Sequence, residues 1–277
     1  MTTIPKPVAA SGPVRTGYSL FLSQLLSDRE QFYAEVAEDV HLGAKLAYAS
    51  LTLIACCALY GASAGAYGGM LQALASGAKL PALFLGTLAI CFPGFFLIQV
   101  LVGSRLRFPQ VLALVLGALA LAAVLLAAVV PVSVFFLWTG ANYYFLTLLH
   151  VLIVLASGLA GMVALHDGLA FACEKRGVYP RKAMTIMKAW AVLFAFVGIQ
   201  MAWNLQPFVG DRGKPFQLFR HNEGNFYTAI VYSLGRLAHP GAAPEVPQDH
   251  ANKLPITRGF GDLAPLPLPD SGAAGKR

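Results

Sequence analysis

Five long apolar runs constrain this chain more than any other feature of its sequence. Each run has about 20 or more predominantly apolar residues, enough for an α-helix to cross the hydrocarbon core of a bilayer. The runs extend over approximately Leu46–Met70, Pro81–Val102, Val111–Val130, Phe145–Leu165 and Met184–Trp203. Only 12% of the residues are charged, whereas soluble domains carry roughly 25%, so most of the surface must face lipid. The sequence therefore predicts an all-α fold, a polytopic membrane bundle of about five transmembrane helices.

The basic residues between the runs predict how the bundle is oriented. They are Arg105 and Arg107 between runs two and three, and Lys175, Arg176, Arg181 and Lys182 between runs four and five. The loop between runs three and four has no Lys or Arg, and the loop between runs one and two has only Lys79. Because basic loops stay in the cytoplasm, the N-terminus is expected inside and the C-terminus outside. Four basic residues would then be translocated: Arg212, Lys214, Arg220 and Arg236. If the fifth run does not cross the membrane, these residues stay in the cytoplasm instead.

Around a bundle placed at residues 44–204, the sequence predicts three further segments. Residues 1–43 form a cytoplasmic segment that contains an amphipathic helix. Residues 205–238 form a juxtamembrane flap with an interfacial helix, and residues 239–277 form a disordered tail rich in Pro. The first run begins too late for a cleavable signal peptide, whose apolar core lies within about the first 15–30 residues, so it is interpreted as an uncleaved span.

The N-terminal amphipathic helix is predicted within residues 16–40. Its apolar positions recur at near-helical spacing, and they are Leu20, Leu22, Leu25, Leu26, Phe32 and Val36. Its charged residues are mostly acidic, which argues against docking on anionic lipid. The helix is therefore expected to pack under the spans or on a partner.

Glycine and proline mark two of the predicted spans. Gly61, Gly65 and Gly69 recur every four residues in the first run, which is typical of a groove that lets another helix approach closely. The groove could receive another span of the same chain, or a second copy in a homo-oligomer. In the second run Pro93 predicts a kink, because proline removes a backbone hydrogen bond and clashes with the preceding turn.

Three ionisable residues lie within or near the fourth and fifth runs. His150 lies inside the fourth run, where an ionisable group is a functional candidate, although a neutral His bonded to a neighbouring helix is the commoner situation. Asp167 lies at the inner end of that run, and Lys188 lies about one turn into the fifth. The spacing predicts an interhelical pair between Asp167 and Lys188.

The flap carries the most varied chemistry in the chain. Gly210, Asp211 and Gly213 predict a turn, and Asn225 predicts the cap of a new helix. The residues expected to grip the bundle or to face a partner are Phe208, Phe216, Phe219, Arg220, Asn225 and Tyr227. Two interpretations stay open, a docking face for another protein and a segment that lies on the bilayer or closes the bundle.

The flap pattern also resembles a known group of sequences. It consists of Trp203, Leu205, Pro207-Phe208, Gly210, Pro215-Phe216, Leu218-Phe219-Arg220 and Gly224-Asn225-Phe226-Tyr227. This pattern resembles the end of a group of small, poorly characterised bacterial multi-span inner-membrane proteins. The resemblance implies a bacterial inner-membrane location and brings no activity with it.

The sequence has one match to a catalytic pattern, G-x-S-x-G at Gly61–Gly65, but the match lies inside the first apolar run and not at the strand-to-helix turn that a catalytic serine of this kind needs. Searches for a phosphate-binding glycine loop, H-E-x-x-H and C-x-x-C find none. The four cysteines are expected to be packing residues, and the basic residues form no long block of the kind that binds nucleic acid. No enzyme activity, cofactor or metal is therefore predicted. The first hypothesis is a non-catalytic component that anchors a partner through the flap and the N-terminal helix; the alternative is a small oligomeric transporter or channel.

Overall fold

In the computed structural model, residues 17–101, 103, 105–140, 142–175, 177, 180–210, 218–219 and 230–235 are described, and their regular structure is helical. The helices are α1 Tyr18–Leu26, α2 Arg29–Ala37, α3 Leu42–Gly65, α4 Met70–Leu101, α5 Phe108–Ala128, α6 Val130–Trp138, α7 Tyr143–Lys175 and α8 Pro180–Asn204. One turn of 3₁₀ helix, Ala66–Gly68, follows α3. Residues 230–235 are helical as well.

The prediction of an all-α bundle with five membrane-length helices is confirmed. Five helices in the described residues are long and apolar enough to cross a membrane: Leu42–Gly68, Met70–Leu101, Phe108–Trp138, Tyr143–Lys175 and Met184–Asn204. The predicted start of the second run was wrong, because α4 begins at Met70 and contains both Pro81 and Pro93. Membrane helices tolerate proline where neighbouring groups satisfy the freed backbone, so Pro81 did not mark a boundary.

Helix α5 forms the centre of the bundle. It is buried along most of its length, as expected for a helix that is apolar on every side. It packs against α3 and α7, while α4 packs on another face of α3. Helix α8 is fixed to α4 by the Trp190 indole, which donates to the Cys91 carbonyl at 3.1 Å. The Trp190 and Phe95 rings are tilted by 32°, with centroids 4.5 Å apart. Apolar side chains of α5 therefore fill the space between the other helices.

The N-terminal segment forms two helices rather than the single one predicted. Helix α1 ends at Leu26. The Asp28 carboxylate then accepts from the Gln31 amide at 3.4 Å, which caps α2. An N-cap aspartate satisfies an otherwise unpaired amide of a new first turn. The two helices pack on the bundle of the same chain: Phe32 lies against Gly117 of α5 and Tyr33 against Gly168 of α7.

Contacts between helix ends define two ends of the bundle. At the α2 end, Arg107 pairs with Asp39 at 2.8 Å, and Lys175 pairs with Glu38 at 2.6 Å. At the opposite end, called the flap end, α3 meets the start of α4 and α8 leads into the segment 205–210. Since α3 starts at the α2 end and α8 finishes at the flap end, the segments flanking the five helices lie at opposite ends.

Candidate functional site

At the flap end, polar side chains of α4 hold the backbone that follows α8. The Gln72 amide donates to the Pro207 carbonyl at 2.6 Å, and the Ser76 hydroxyl donates to the Phe208 carbonyl at 2.5 Å. Gln72 and Ser76 are buried, and their spacing of four residues places them on one face of the helix. Both bonds recognise backbone carbonyls, so they fix the course of the chain independently of its side chains.

Lys79 completes this contact one turn further along α4. Its side chain is buried, and its ammonium donates to the Pro207 carbonyl at 3.2 Å and to the Leu218 carbonyl. The Phe219 ring lies over the same ammonium, 5.2 Å from nitrogen to ring centroid. Carbonyl acceptors and an aromatic face are the partners that make a buried cation tolerable. We call Gln72, Ser76 and Lys79 the α4 latch.

The latch is a feature that the sequence interpretation missed. Lys79 was assigned to a loop between the first two runs, whereas it lies inside α4. Three polar residues at positions i, i+4 and i+7 in an apolar helix were a signal that could have revealed it. Their partners lie more than 120 residues away in the chain, as the Gln72–Pro207 bond shows, so no local pattern connected the two.

The structure describes part of the predicted flap. The Phe208 side chain is half-buried, and that of Phe219 is 58% exposed beside Lys79. Gly210 has a φ of 69° and packs against Gly68, so a Cβ atom there would lie 3.1 Å from the Gly68 Cα. Within the predicted interfacial helix, Tyr232 contacts Tyr144 of α7 at 6.0 Å between ring centroids. Four predicted flap residues lie outside the described residues: Phe216, Arg220, Asn225 and Tyr227.

Of the three glycines predicted to form a groove, Gly61 and Gly65 do so, and α4 fills the groove. A Cβ atom on Gly61 would lie 3.0 Å from the Ser76 carbonyl carbon, and one on Gly65 would lie 2.5 Å from the Gln72 oxygen. Gly69 does not belong to the groove. It has a φ of 107° in the turn before α4, and a Cβ atom there would have no neighbour within 4 Å. The helix breaks at this turn, which rotates Gly69 away from the face that Gly61 and Gly65 share.

His150 is bonded to a neighbouring helix. Its Nδ1 lies 2.7 Å from the Tyr60 hydroxyl of α3, and the two rings meet edge to face with centroids 5.5 Å apart. Tyr60 is 2% exposed. The sequence interpretation singled out His150 but missed Tyr60, which lies next to Gly61 where α3 and its neighbours approach closely.

The predicted pair between Asp167 and Lys188 was wrong. The Asp167 carboxylate lies 3.2 Å from Nδ1 of His166, and among the described ion pairs none joins Asp167 to Lys188. Lys188 is exposed, since α8 packs mainly on α4 and turns this side chain to the surface. Helix spacing predicts that Asp167 and Lys188 lie at the same depth in the bundle. It does not show which faces of α7 and α8 meet.

A second polar cluster joins the N-terminal helices to α3. The Lys45 ammonium pairs with the Glu35 carboxylate and donates to the Gln24 side-chain oxygen at 3.2 Å. The Gln24 amide in turn donates to Glu35 at 2.8 Å, and Lys45 lies 5.3 Å from the centroid of the Phe32 ring. Gln24 and Lys45 are buried. Hydrogen bonds from several sides are what a buried ion pair needs to offset its desolvation.

Two further side chains fasten α2 to α5 and α7. The buried Gln110 amide donates to the carbonyls of Val36 and Ala37 at 3.2 and 3.0 Å, which caps the end of α2. The Tyr33 hydroxyl donates to the Ala164 carbonyl at 2.8 Å. Burial raises the pKa of the Tyr33 phenol, so the hydroxyl keeps the proton that it donates. The apolar side of α1 and α2 is thus occupied by the spans of the same chain.

These features define the class of protein: a polytopic α-helical membrane protein with a latched segment at one end of the bundle and two packed helices at the other. Comparison of the chain with protein-family models, with curated protein sequences and with solved structures finds no match.

Proposed function

We propose that this protein is a non-catalytic anchoring or assembly component of a bacterial inner membrane, which docks another protein on its flap. The observation that carries the proposal is the α4 latch, which holds the backbone at Pro207, Phe208 and Leu218. A surface that is already ordered loses less conformational entropy when it binds. The described hydrogen bonds from the latch to the flap all go to backbone carbonyls, so they leave the polar groups of the flap side chains free for another contact.

The exposed residues beside the latch have the chemistry of a binding surface. Phe219 is 58% exposed and Leu218 is 49% exposed, although the backbone and ring at this point are held by Lys79. Aromatic anchors contribute much of the binding energy in protein interfaces. The N-terminal helices were the other docking candidate, but their apolar side is used within the bundle, so we assign docking to the flap.

Replacing Phe219 by Ser should remove the partner while the bundle stays folded. The matched control is Phe135→Ser, because Phe135 is an exposed phenylalanine of similar exposure, 60%, on α6. Proteins that co-purify in mild detergent would be quantified by mass spectrometry for wild type and both variants. A partner lost from the Phe219 variant alone supports docking at the flap. Equal co-purification with all three proteins would contradict it.

The proposed orientation places the flap outside the cell and α2 inside. A cysteine introduced at Thr139 or at Leu218 should then react with a membrane-impermeant maleimide in intact cells, and one at Arg107 should react only after lysis. Thr139 and Arg107 are exposed, and Leu218 is half-exposed, so the reagent can reach each of them once it is on the same side of the membrane. Wild type, with its four native cysteines, serves as the blank. Labelling of Arg107→Cys in intact cells would reverse the orientation.

A small oligomeric transporter or channel is the second candidate. The observation in its favour is the imidazole of His150, which lies inside a span and is bonded to the buried Tyr60. The apolar side chains of α5 fill the centre of the bundle, so we place docking first.

A further inference from the structure

The proton arrangement of the Tyr60–His150 pair follows from the burial of Tyr60. If Nδ1 of His150 carried the ring proton, the Tyr60 oxygen would accept it, and the phenolic hydrogen would need another acceptor. Tyr60 is 2% exposed, and in the described part of the chain its hydroxyl has no other partner. An unsatisfied buried donor is costly. Tyr60 therefore donates to Nδ1, and the neutral ring carries its hydrogen on Nε2.

This assignment leaves a hydrogen-bond donor on the far side of the ring. The contact with Tyr60 uses Nδ1, and the structure shows no second hydrogen bond to His150 among the described residues. The side chain is half-buried, so it is open to its surroundings on one side. Inside the hydrocarbon layer of a bilayer there is no bulk water to accept a hydrogen bond from Nε2–H. The acceptor must therefore belong to a molecule of the membrane.

The position of His150 along α7 indicates its depth in the membrane. Seven residues, or about 10 Å, separate it from the start of the helix at Tyr143. The exposed apolar side chains of α7 begin just after it and comprise Leu152, Leu155, Leu159 and Val163. His166 follows about 24 Å from His150 along the axis, which approaches the hydrocarbon thickness of about 30 Å. His150 thus lies in the flap-side part of the span, about 8 Å inside the start of the apolar run at Phe145.

We propose that His150 binds a carbonyl oxygen of a membrane molecule through Nε2–H, and that its resident ligand is the ester carbonyl of a phospholipid in the leaflet at the flap end. Ester groups of phospholipids lie where the hydrocarbon layer begins. Helical side chains point toward the N-terminus of their helix, which for α7 is the flap end, so the ring of His150 leans toward the ester groups of that leaflet. Tyr60 acts as a positioning residue, because its hydroxyl holds the tautomer that presents Nε2–H. The ligand class is a hydrogen-bond acceptor without charge, which suits a neutral imidazole.

The test compares ester with ether phospholipids of equal chain length, since ether lipids lack the carbonyl. Full-length protein with ¹⁵N-labelled histidine would be placed in nanodiscs of each lipid, and the ring N–H resonances would be recorded by NMR. The chain has six histidines, so His150→Gln identifies the signal. We expect the Nε2–H proton of His150 to resonate further downfield and to exchange more slowly in ester lipid. His41, which lies just before the first membrane-length helix at the α2 end, should give the same signal in both.

A second arm distinguishes the source of the carbonyl. A long-chain benzoquinone added to the ether-lipid nanodiscs supplies ketone oxygens, and recovery of the ester-lipid resonance would support recognition of the carbonyl itself. A response to the quinone with no difference between the two lipids would overturn the phospholipid as ligand. Identical spectra in both lipids and no response to the quinone would overturn the site. Tyr60→Phe should let the proton exchange between the ring nitrogens, and an unchanged spectrum in that variant would contradict the positioning role.

Discussion

Replacing Gly65 by Leu should lower the midpoint of thermal unfolding in detergent by roughly 6–12 °C. A Cβ atom at this position would lie 2.5 Å from the Gln72 carbonyl oxygen and 2.9 Å from the Ala73 Cα. The obstacle is the backbone of α4, which cannot turn aside as a flexible side chain can. Overpacking of this kind costs about 3 kcal/mol. Each kcal/mol corresponds to about 2–4 °C in the midpoint of thermal unfolding for domains of roughly 150–250 residues.

The matched control for this prediction is Gly158→Leu. Gly158 also lies in a membrane-length helix, but a Cβ atom there would have no neighbour within 4 Å. Both variants gain helix propensity and apolar volume, so the difference between them reports the contact between α3 and α4. Equal thermal midpoints would contradict the packing. A shift toward monomer on a sizing column without loss of stability would instead indicate that Gly65 faces a second copy.

Replacing Glu35 by Ala should be comparably destabilising. Lys45 is 6% exposed and would lose its carboxylate partner, because Glu35 is its partner in the described ion pairs. Removing one member of a buried pair costs about 3–5 kcal/mol, and the 24% exposure of the Glu35 side chain places the expected loss near the lower value. The measurement is thermal unfolding in detergent. Glu30→Ala is the control, since Glu30 lies in the same helix and is exposed.

A double variant separates the lost ion pair from a general loss of α2. Lys45→Met removes the charge that Glu35→Ala leaves unpaired, so the double variant should be more stable than Glu35→Ala alone. Replacement of a whole buried pair by apolar residues is often neutral or stabilising. If the double variant is as unstable as the sum of the single ones, the two side chains do not act as a pair.

The five helices could be predicted because their cause is local. A stretch of about 20 apolar residues is stable in a bilayer only as a helix that satisfies its own backbone. The end of α7 at Lys175 has a local cause as well, because a lysine suits the negative end of the helix dipole. The start of α4 could not be predicted, because Pro81 reads as a boundary unless the neighbouring helices are known.

The break in the N-terminal segment shows where periodicity fails. The apolar positions fit one continuous helix, and the position of Asp28 between them fits the polar face of that helix. Asp28 instead caps α2, and the break turns Phe32 and Tyr33 toward Gly117 and Gly168. An aspartate on a polar face and an aspartate at a cap look alike in sequence, and only the surface against which the chain packs distinguishes them.

The sequence by itself determined the class of fold, the number of membrane-length helices and the close approach at Gly61 and Gly65, because apolar length and small side chains act within one segment. The tertiary structure decided which groups meet: Lys79 with the flap carbonyls, Lys45 with Glu35, and His150 with Tyr60. The first and third of these contacts join residues that are distant in the chain, and the second joins residues ten positions apart on two different helices. Each depends on how a helix is rotated about its axis. A turn of 100° per residue moves a side chain from one neighbour to another without changing the composition or length that made the helix predictable.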